Sequence, residues 1–233
     1  MKLSIVIPVY NEQDTLKEIL KKVEDVKLKD IQKEIILVDD YSTDNTKSIL
    51  KKIKEDHIKI YYHEKNKGKG AAVKTGINKA TGDTIIIQDA DLEYDPQDYI
   101  ILLDSYYKGN KIVYGSRFLN KSHREFKEHS SFLSSHYLGN KFLSLLTTLL
   151  YQKRVTDMET CYKLFKADII QNLNLKEDRF GFEPEVTSKI LKKHSIVEVP
   201  ISFYPRGFDK GKKITWRDGV KALGYLIKYK FLD

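Results

Sequence analysis

The sequence is poor in cysteine and has no long apolar run. It contains a single cysteine, Cys161, so an internal disulfide is excluded. No apolar stretch approaches the ~18 residues that a transmembrane helix requires, and the first residues, MKLSIVIPVYNE, lead directly into a strand pattern without a signal-peptide cleavage site. These absences predict a protein of the reducing cytoplasm that does not span a membrane, although it can still bind peripherally to the cytoplasmic face of one.

An internal repeat and a domain linker are also missing. No segment recurs with a period of roughly 20 to 50 residues, which excludes a solenoid. The 233 residues fit one domain, because single cores stop growing only near ~250 to 300 residues. The net charge of +8 favours polyanions or an anionic membrane leaflet without choosing between them. We therefore predict one domain that covers residues 1–233.

Apolar strands alternate with amphipathic helices along the first half of the chain. Residues 3–10 (LSIVIPVY) and 34–40 (EIILVDD) are typical of buried strands, and each is followed by apolar residues at helical spacing. This alternation predicts an α/β fold: a doubly wound, largely parallel sheet with helices on both faces. In such folds ligands bind at the carboxyl ends of the strands.

The pattern loosens after Phe118. Residues 132–151 have the spacing of a long helix, and residues 216–231 that of a terminal amphipathic helix. We therefore divide the predicted domain into a ligand-binding half, 1–118, and a second half, 119–233. Both helices can pack on the core or present apolar and basic groups to a membrane surface.

Two carboxylates follow the fourth predicted strand. Asp89 and Asp91 stand two residues apart, so both can point toward one ion if the chain stays extended there. Hard oxygen ligands suit Mg²⁺ or Mn²⁺, and Glu93 can add a third ligand. The alternative is that this D-A-D-L-E segment only caps the next helix. Its place after a buried strand favours the metal site.

Further polar residues follow the first two strands. Asp39 and Asp40 can accept hydrogen bonds from a nucleobase or a ribose, or can cap the helix that starts near Asp44. Pro8, Tyr10 and the residues after them can form the wall of a base pocket, although a tyrosine at a strand end often belongs to the core.

A glycine-rich basic loop, residues 66–70 (NKGKG), invites comparison with phosphate loops. It lacks the third glycine of G-x-G-x-x-G, it follows the third strand and not the first, and the chain has no G-x-x-x-x-G-K-[ST] segment. Dinucleotide and P-loop interpretations are therefore rejected. Lys69 in this loop is still expected to approach the ligand.

Five motifs in order resemble the family 2 glycosyltransferases of the GT-A fold: VIPVYNE, VDDYSTD, NKGKGAAV, QDADLEYDP and YGSRF. They are most similar to the dolichyl-phosphate mannose synthase branch, which includes bacterial polyprenyl-phosphate sugar transferases. The later segments DMETCYK, GFEPEV and PRGFDKGKKI are similar to that branch too. The resemblance thus covers nearly the whole chain.

The resemblance implies roles for individual residues. Donor contacts, to a GDP- or UDP-hexose, are implied for Pro8, Tyr10, Glu12, Asp39, Asp40, Lys69, Asp89, Ala90 and Asp91. Metal ligands are implied at Asp89 and Asp91, whereas synthases of this branch often have Gln where this chain has Glu93. Basic groups for donor or acceptor phosphate are implied at Arg117, Arg206, Lys212 and Lys213.

The acceptor determines whether a base is needed. A polyprenyl phosphate is already anionic at neutral pH, because its second pKa is near ~6. A sugar hydroxyl would need a base, and Asp157 is the first candidate, either as base or as a carboxylate that positions the acceptor. With Asp91 and Arg117, Asp157 completes the expected catalytic residues. Direct displacement would invert the anomeric centre.

Three alternatives compete with transfer to a lipid. Transfer to a glycan or protein hydroxyl uses the same donor site. A sugar nucleotidyltransferase would usually carry a glycine-rich basic signature after the first strand, where this chain has PVYNE. A basic module that binds nucleic acid or membrane leaves the paired carboxylates unexplained. We therefore expect no nucleic-acid partner, and a lipid acceptor reached at the membrane surface, either directly or through a membrane-anchored partner protein.

Overall fold

The computed structural model describes residues 1–119, 133–205 and 216–232. Within these ranges the strands are β1 Lys2–Val9, β2 Gln32–Asp39, β3 Ile58–Tyr62, β4 Thr84–Ile87, β5 Ile112–Ser116, β6 Lys163–Lys166 and β7 Val197–Pro200. The helices are α1 Leu16–Asp25, α2 Thr46–Leu50, α3 Lys69–Lys79, α4 Tyr99–Tyr107, α5 Leu133–Tyr151, α6 Ala167–Gln171, α7 Phe182–Lys193 and α8 Trp216–Phe231, with a 3₁₀ turn at Pro96–Asp98 before α4.

The seven strands form one sheet in the order β3-β2-β1-β4-β6-β5-β7. Strand β1 pairs in parallel with β2 and β4, β2 with β3, and β5 with β7. Strand β6 runs antiparallel to both of its neighbours, β4 and β5. The predicted largely parallel α/β sheet is confirmed, but the sequence analysis missed β6 and the short helix α6 that follows it.

The central strands are buried because both faces of the sheet are covered. Strand β1 carries Leu3, Ile5, Val6 and Ile7, all with no exposed surface. Helix α3 lies so close to this strand that a Cβ atom on Gly76 would lie 2.3 Å from a methyl of Val6. Burial of each such aliphatic side chain stabilises the fold by about 1.5–3 kcal/mol. The main core therefore lies between the sheet and its helices.

A smaller core joins helices α5, α7 and α8. It contains Leu143 and Tyr151 of α5, Leu191 of α7, and Ala222 and Leu226 of α8. The opposite face of α5 is exposed and apolar, with exposed fractions between 57% and 66% at Leu138, Phe142, Leu145 and Leu149. One face of α5 thus packs on the core, as predicted, whereas presentation of the other face to a membrane stays a prediction.

Helix α8 likewise has one face packed on the small core and one exposed face. Its exposed positions Val220, Gly224, Ile227 and Phe231 follow helical spacing and form a second apolar stripe. Among the helices of the described ranges, none combines the length and the apolar character needed to cross a bilayer.

The topology brings the ends of three neighbouring strands together. Val9 at the end of β1 is in register with Asp39 at the end of β2, and β4 pairs with the other side of β1. The segments that follow these strands therefore meet at one edge of the sheet. The predicted division of the domain at residues 118 and 119 stays a prediction.

Candidate active site

A cleft of about 610 Å³ opens at this edge of the sheet. Its walls include the ends of β1, β2 and β4, the starts of α3 and α7, and the residue after β5. Asp39 and Asp157 are buried outside the lining. Arg206, Lys212 and Lys213 lie outside the described residues, and their role stays a prediction. The lining contains many of the residues predicted for the site: Pro8, Tyr10, Glu12, Asp40, Lys69, Asp89, Ala90, Asp91, Glu93 and Arg117.

The turn after β1 is fixed to the turn after β2. Asn11 has a positive φ of 56°, a conformation that asparagine tolerates better than most residues. Its Oδ1 accepts from the backbone N–H of Thr43 at 2.8 Å, and its own N–H donates to Ser42 Oγ at 3.0 Å. The N–H of Glu12 donates to Thr46 Oγ1 at 2.9 Å. The predicted base wall, with Tyr10, is thereby held in one conformation.

Asp40 organises the glycine-rich loop. Its side chain is buried and accepts from the backbone N–H groups of Lys67 (2.9 Å) and Gly68 (2.7 Å). The imidazole Nδ1 of His63 lies 2.7 Å from the same carboxylate, and Nε2 lies 2.9 Å from Thr75 Oγ1. Both oxygens of Asp40 therefore have protein partners, so its carboxylate shapes the loop that approaches the ligand.

Asp39 turns the chain after β2. It is buried, and its Oδ1 accepts from the N–H of Ser42 at 3.3 Å. The start of helix α2 is held instead by Asp44, whose Oδ1 accepts from the N–H of Thr46 at 2.9 Å. The capping alternative for Asp39 and Asp40 is therefore wrong, because Asp44 does that work, and the donor contact of both residues stays a prediction.

Lys69 and Asp89 form the first ion pair of the cleft. The ammonium Nζ lies 2.7 Å from Oδ1 and 2.9 Å from Oδ2 of Asp89, so it bridges both carboxylate oxygens. Burial alone would lower the pKa of Lys69, but the surrounding negative groups, led by Asp89, together outweigh burial and raise that pKa well above its ordinary value. The lysine reaches this position because Gly68, with φ of 102°, lets α3 start against the backbone at Asp178.

A buried hydrogen-bond network holds the end of β4. The amide of Gln88 donates through Nε2 to the carbonyl oxygen of Asp89 at 2.9 Å. Its Oε1 accepts from the hydroxyls of Tyr99 (2.5 Å) and Tyr162 (2.6 Å). Since all three side chains are fully buried, the position of Asp89 is fixed by the core beneath it.

Asp89 and Asp91 fit a hard divalent cation. Asp89 already binds one cation, the ammonium of Lys69. Mg²⁺ in proteins is typically held by one or two carboxylates together with substrate phosphates and water, so the chemistry of these two residues suits the ion. The extended backbone that the prediction assumed is not found, because the chain turns at Ala90 and Asp91. Across residues 1–119, 133–205 and 216–232, no three His, Cys, Asp or Glu side chains converge as a ready metal site. The role of Glu93, whose N–H donates to Asp91 Oδ1 at 3.1 Å, stays a prediction.

Arg117 and Asp157 form the second ion pair. Nε and Nη2 of Arg117 each donate to a different oxygen of Asp157 at 2.7 Å, and the Arg117 backbone N–H adds a third bond at 3.0 Å. Burial opposes the charge of Arg117, but Asp157 outweighs it and raises the pKa of the guanidinium. Because both oxygens of the fully buried Asp157 are taken, the geometry favours its positioning role over that of a base.

Sequence reasoning missed four charged residues of the cleft region: Glu159, Lys163, Arg179 and Glu183. Lys163 is fully buried and pairs with Glu183, and its Nζ also donates to the carbonyl oxygen of Thr160. Glu159 lines the cleft without a hydrogen-bond partner for its Oε1 atom among the described residues. Burial, followed by the nearby charge of Glu183, raises the pKa of Glu159 to about 7.

One sequence signal for these residues was available. Lys163 stands inside the apolar run CYKLF, at a position that a strand buries. A buried lysine needs a carboxylate partner, because an unpaired buried charge is strongly unfavourable. That requirement predicts a partner but not its identity, since Glu183 is 20 residues away in the chain.

Solved structures share this fold. Glucosyl-3-phosphoglycerate synthase of Mycobacterium tuberculosis, in complex with Mn²⁺, UDP and phosphoglyceric acid, superimposes with a TM-score of 0.69 at 16% identity, covering 100% of this chain and 79% of that chain. Mannosyl-3-phosphoglycerate synthase of Rubrobacter xylanophilus gives 0.70 at 16% identity, covering 98% and 72%. These neighbours are GT-A glycosyltransferases, and the predicted GT-A fold is confirmed.

Curated relatives match along most of this chain. The dolichol-phosphate mannosyltransferase of Pyrococcus furiosus is 26% identical over 233 residues, which cover 99% of this chain and 65% of that protein. The undecaprenyl-phosphate 4-deoxy-4-formamido-L-arabinose transferase of Proteus mirabilis is 28% identical, covering 85% and 59%. The chain thus spans about three fifths of the length of these relatives. The model of glycosyl transferase family 2 matches residues 4–173, and the chain belongs to that family.

Proposed function

We propose that the protein is a metal-dependent, inverting glycosyltransferase that moves a hexose of the mannose or glucose type from a nucleoside diphosphate sugar to a polyprenyl phosphate, such as dolichyl or undecaprenyl phosphate. The observation that carries the proposal is the charge arrangement of the cleft. Two carboxylates suited to a cation, Asp89 and Asp91, line the same cleft as the cations Lys69 and Arg117. This is the arrangement that a diphosphate leaving group and a phosphate nucleophile require.

The donor is expected to occupy the β1–β2–β4 side of the cleft. The turn at Pro8–Glu12 offers a rigid wall for the nucleobase of a GDP- or UDP-hexose. Asp89 and Asp91 would hold Mg²⁺ or Mn²⁺, and the ion would supply Lewis-acid stabilisation of the negative charge on the leaving group. Lys69 lies next to that position and adds a second positive charge.

The proposed acceptor, a polyprenyl phosphate, needs a positive charge that binds its phosphate more than it needs a base. Arg117 lines the cleft with its guanidinium held flat by Asp157 and lying 5.0 Å from the ring centroid of Phe203. A fixed guanidinium suits a phosphate oxygen. Since a polyprenyl phosphate carries its own anionic nucleophile, the absence of a free oxygen on Asp157 does not impede transfer.

The lipid acceptor is expected to be met at a membrane surface. The exposed apolar stripes of α5 and α8 lie on neighbouring helices that share one small core. Helix α5 has no acidic residue in its sequence, and α8 has four basic residues against one acidic residue. An anionic leaflet suits apolar stripes bordered by lysines. We therefore propose peripheral binding to the cytoplasmic face of a membrane. Any membrane-anchored partner protein remains part of this proposal.

A hydroxyl acceptor on a glycan is the second candidate, and Glu159 is the observation in its favour. This carboxyl lines the cleft, and its pKa of about 7 suits proton transfer near neutral pH. The two candidates differ in their product, because only the first places the label on a lipid.

The decisive experiment supplies labelled GDP-mannose, GDP-glucose or UDP-glucose, Mn²⁺ and a polyprenyl phosphate in detergent. A butanol-soluble, acid-labile labelled product is expected, and EDTA should abolish it. Asp89→Asn should lower kcat/KM by about 100-fold or more, because charge stabilisation of the leaving group is lost. Asp56→Asn, an exposed carboxylate before β3, is the control and should change nothing. Label on a saccharide with none on lipid would overturn the lipid acceptor.

The membrane surface has its own test. Sedimentation with vesicles of anionic lipid should capture the wild-type protein, and Leu145→Asn, on the exposed stripe of α5, should weaken capture several-fold. Ile100→Asn, which changes an exposed aliphatic residue of α4, should leave capture by the vesicles unchanged. Equal loss in both variants, or no capture by vesicles at all, would contradict the proposed surface.

A further inference from the structure

One part of the cleft has carboxyl groups that the proposed transfer does not use. Glu159 comes from the segment before β6, and Glu183 is the second residue of α7. Both line the same cleft as Asp89 and Arg117. Their neighbours decide what each carboxyl can do.

Glu183 is already paired, whereas the part of the chain that the structure describes offers no partner for Glu159 Oε1. Glu183 binds the ammonium of the fully buried Lys163. Arg117, whose charge acts on Glu159, gives both of its described carboxylate bonds to Asp157. Glu159 keeps an Oε1 atom that is closed off from solvent and has no hydrogen-bond partner among residues 1–119, 133–205 and 216–232. Because buried polar atoms are rarely left without a partner, a ligand is the natural candidate.

The charges around Glu159 restrict the chemistry of that ligand. Glu183 and Asp157 disfavour an anion beside Glu159, whereas Lys163 and Arg117 disfavour a cation. A neutral O–H group is repelled neither by the nearby carboxylates nor by the nearby cations, and it can donate a hydrogen bond to a carboxyl oxygen. The site therefore suits a hydroxyl group.

Among the substrates of the proposed reaction, the hexose is the neutral part that is rich in hydroxyl groups. The diphosphate and the acceptor phosphate are anionic, and a polyprenyl chain has no hydroxyl of its own. We propose that Glu159 recognises a hydroxyl group of the transferred hexose and thereby selects a neutral hexose over a uronic acid and over the matching deoxy sugar. This inference rests on the proposed function, because it assumes that a nucleoside diphosphate sugar occupies the cleft.

The test measures donor binding without any acceptor. Calorimetry in Mn²⁺ compares UDP-glucose and GDP-mannose with their 2-, 3-, 4- and 6-deoxy analogues and with UDP-glucuronate. For the wild-type protein, removal of one particular hydroxyl should weaken binding by about 10- to 100-fold, as expected for a lost hydrogen bond to a carboxyl group. In Glu159→Ala the same deoxy analogue should bind as well as its parent donor. In Glu159→Gln the penalty for UDP-glucuronate should shrink.

Binding of UDP or GDP alone separates this role from a structural one. It should be unchanged in both Glu159 variants and in Glu18→Ala, an exposed glutamate of α1 that serves as the matched control. If Glu159→Ala still discriminates against the deoxy analogue as the wild type does, or if both Glu159 variants lose nucleotide binding, the inference is wrong while the proposed function stands. If the wild-type protein binds neither nucleotide, the proposed function fails and this inference fails with it.

Discussion

Two of the cation–carboxylate pairs at the cleft, Lys69–Asp89 and Arg117–Asp157, differ in construction. Lys69 and Asp89 keep 30% and 18% of their side-chain surface exposed, whereas Arg117 and Asp157 keep 11% and 0%. The lysine is a single flexible point charge, and the arginine is a planar fork that binds both oxygens of its partner. An incoming ion can therefore separate Lys69 from Asp89, whereas Arg117 and Asp157 stay paired.

This difference assigns different tasks to the two aspartates. Asp89 follows a strand, lines the cleft and, in the proposed function, exchanges Lys69 for a metal ion. Asp157 stays with Arg117 because separation would leave a buried guanidinium without a partner, which is strongly unfavourable. A carboxylate that binds a metal has to be partly exposed to the solvent from which the ion comes. A carboxylate that holds an arginine in place is best buried with it.

The largest expected effect comes from breaking the closed pair. Asp157→Ala should lower the free energy of unfolding by about 3–5 kcal/mol, because Arg117 is left buried and unpaired. Denaturant unfolding followed by circular dichroism measures this loss. Asp89→Asn removes the partner of the open pair and should change stability by no more than about 1 kcal/mol. Similar losses in the two variants would contradict the distinction between a fixed pair and an exchangeable one.

Glu159 adds a carboxyl group that makes no ion pair with any cation of the described residues. Its folded-state pKa is raised from 4.5 to about 7, so the folded protein keeps a proton that the unfolded chain has lost. Its stability contribution is therefore complete below pH 4.5 and is lost as the pH rises toward 7. Relative to Glu159→Gln, the free energy of unfolding of the wild type should fall by on the order of 2–3 kcal/mol between pH 4.5 and pH 7. Parallel stability curves for the two proteins between these pH values would contradict the raised pKa.

The smallest effect is expected at Lys69. Lys69→Met should change the free energy of unfolding by no more than about 1 kcal/mol, because the pair is partly exposed. Since the ammonium then no longer competes for Asp89, Mn²⁺ should bind several-fold more tightly in a calorimetric titration without nucleotide. Arg117→Met is the comparison variant and should leave Mn²⁺ affinity unchanged. Weaker Mn²⁺ binding by Lys69→Met would show that the two cations do not share Asp89.

The sequence predicted the parts of the fold that repeat one simple pattern. Strands β1 and β2 each contain an apolar run, Ile5–Ile7 and Ile35–Val38, and the polar residues that follow these runs mark the edge of the sheet where the cleft opens. Strand β6 reads K-L-F-K over 4 residues, and its first lysine is fully buried. A pattern of apolar residues cannot identify such a strand, because its stability depends on Glu183, which lies elsewhere in the chain.

The same limit applies within the site. That Asp40 lies near the ligand follows from its place after β2, but its partners His63, Lys67 and Gly68 are brought to it by another strand and loop. Sequence spacing located this carboxylate and could not show that both of its oxygens would be taken. Long-range contacts decide which polar groups near a cleft remain available to a ligand.

The reversed direction of β6 has a consequence for how this enzyme family can vary. The parallel strands deliver site residues only from the segments that follow them, whereas an antiparallel strand delivers them from the segment that precedes it. Glu159 and Cys161, which precede β6, therefore line the cleft by a route independent of the turns after β1, β2 and β4. Exchange of that one short segment would alter the lining of the cleft while the turn after β4, with Asp89 and Asp91, stays untouched.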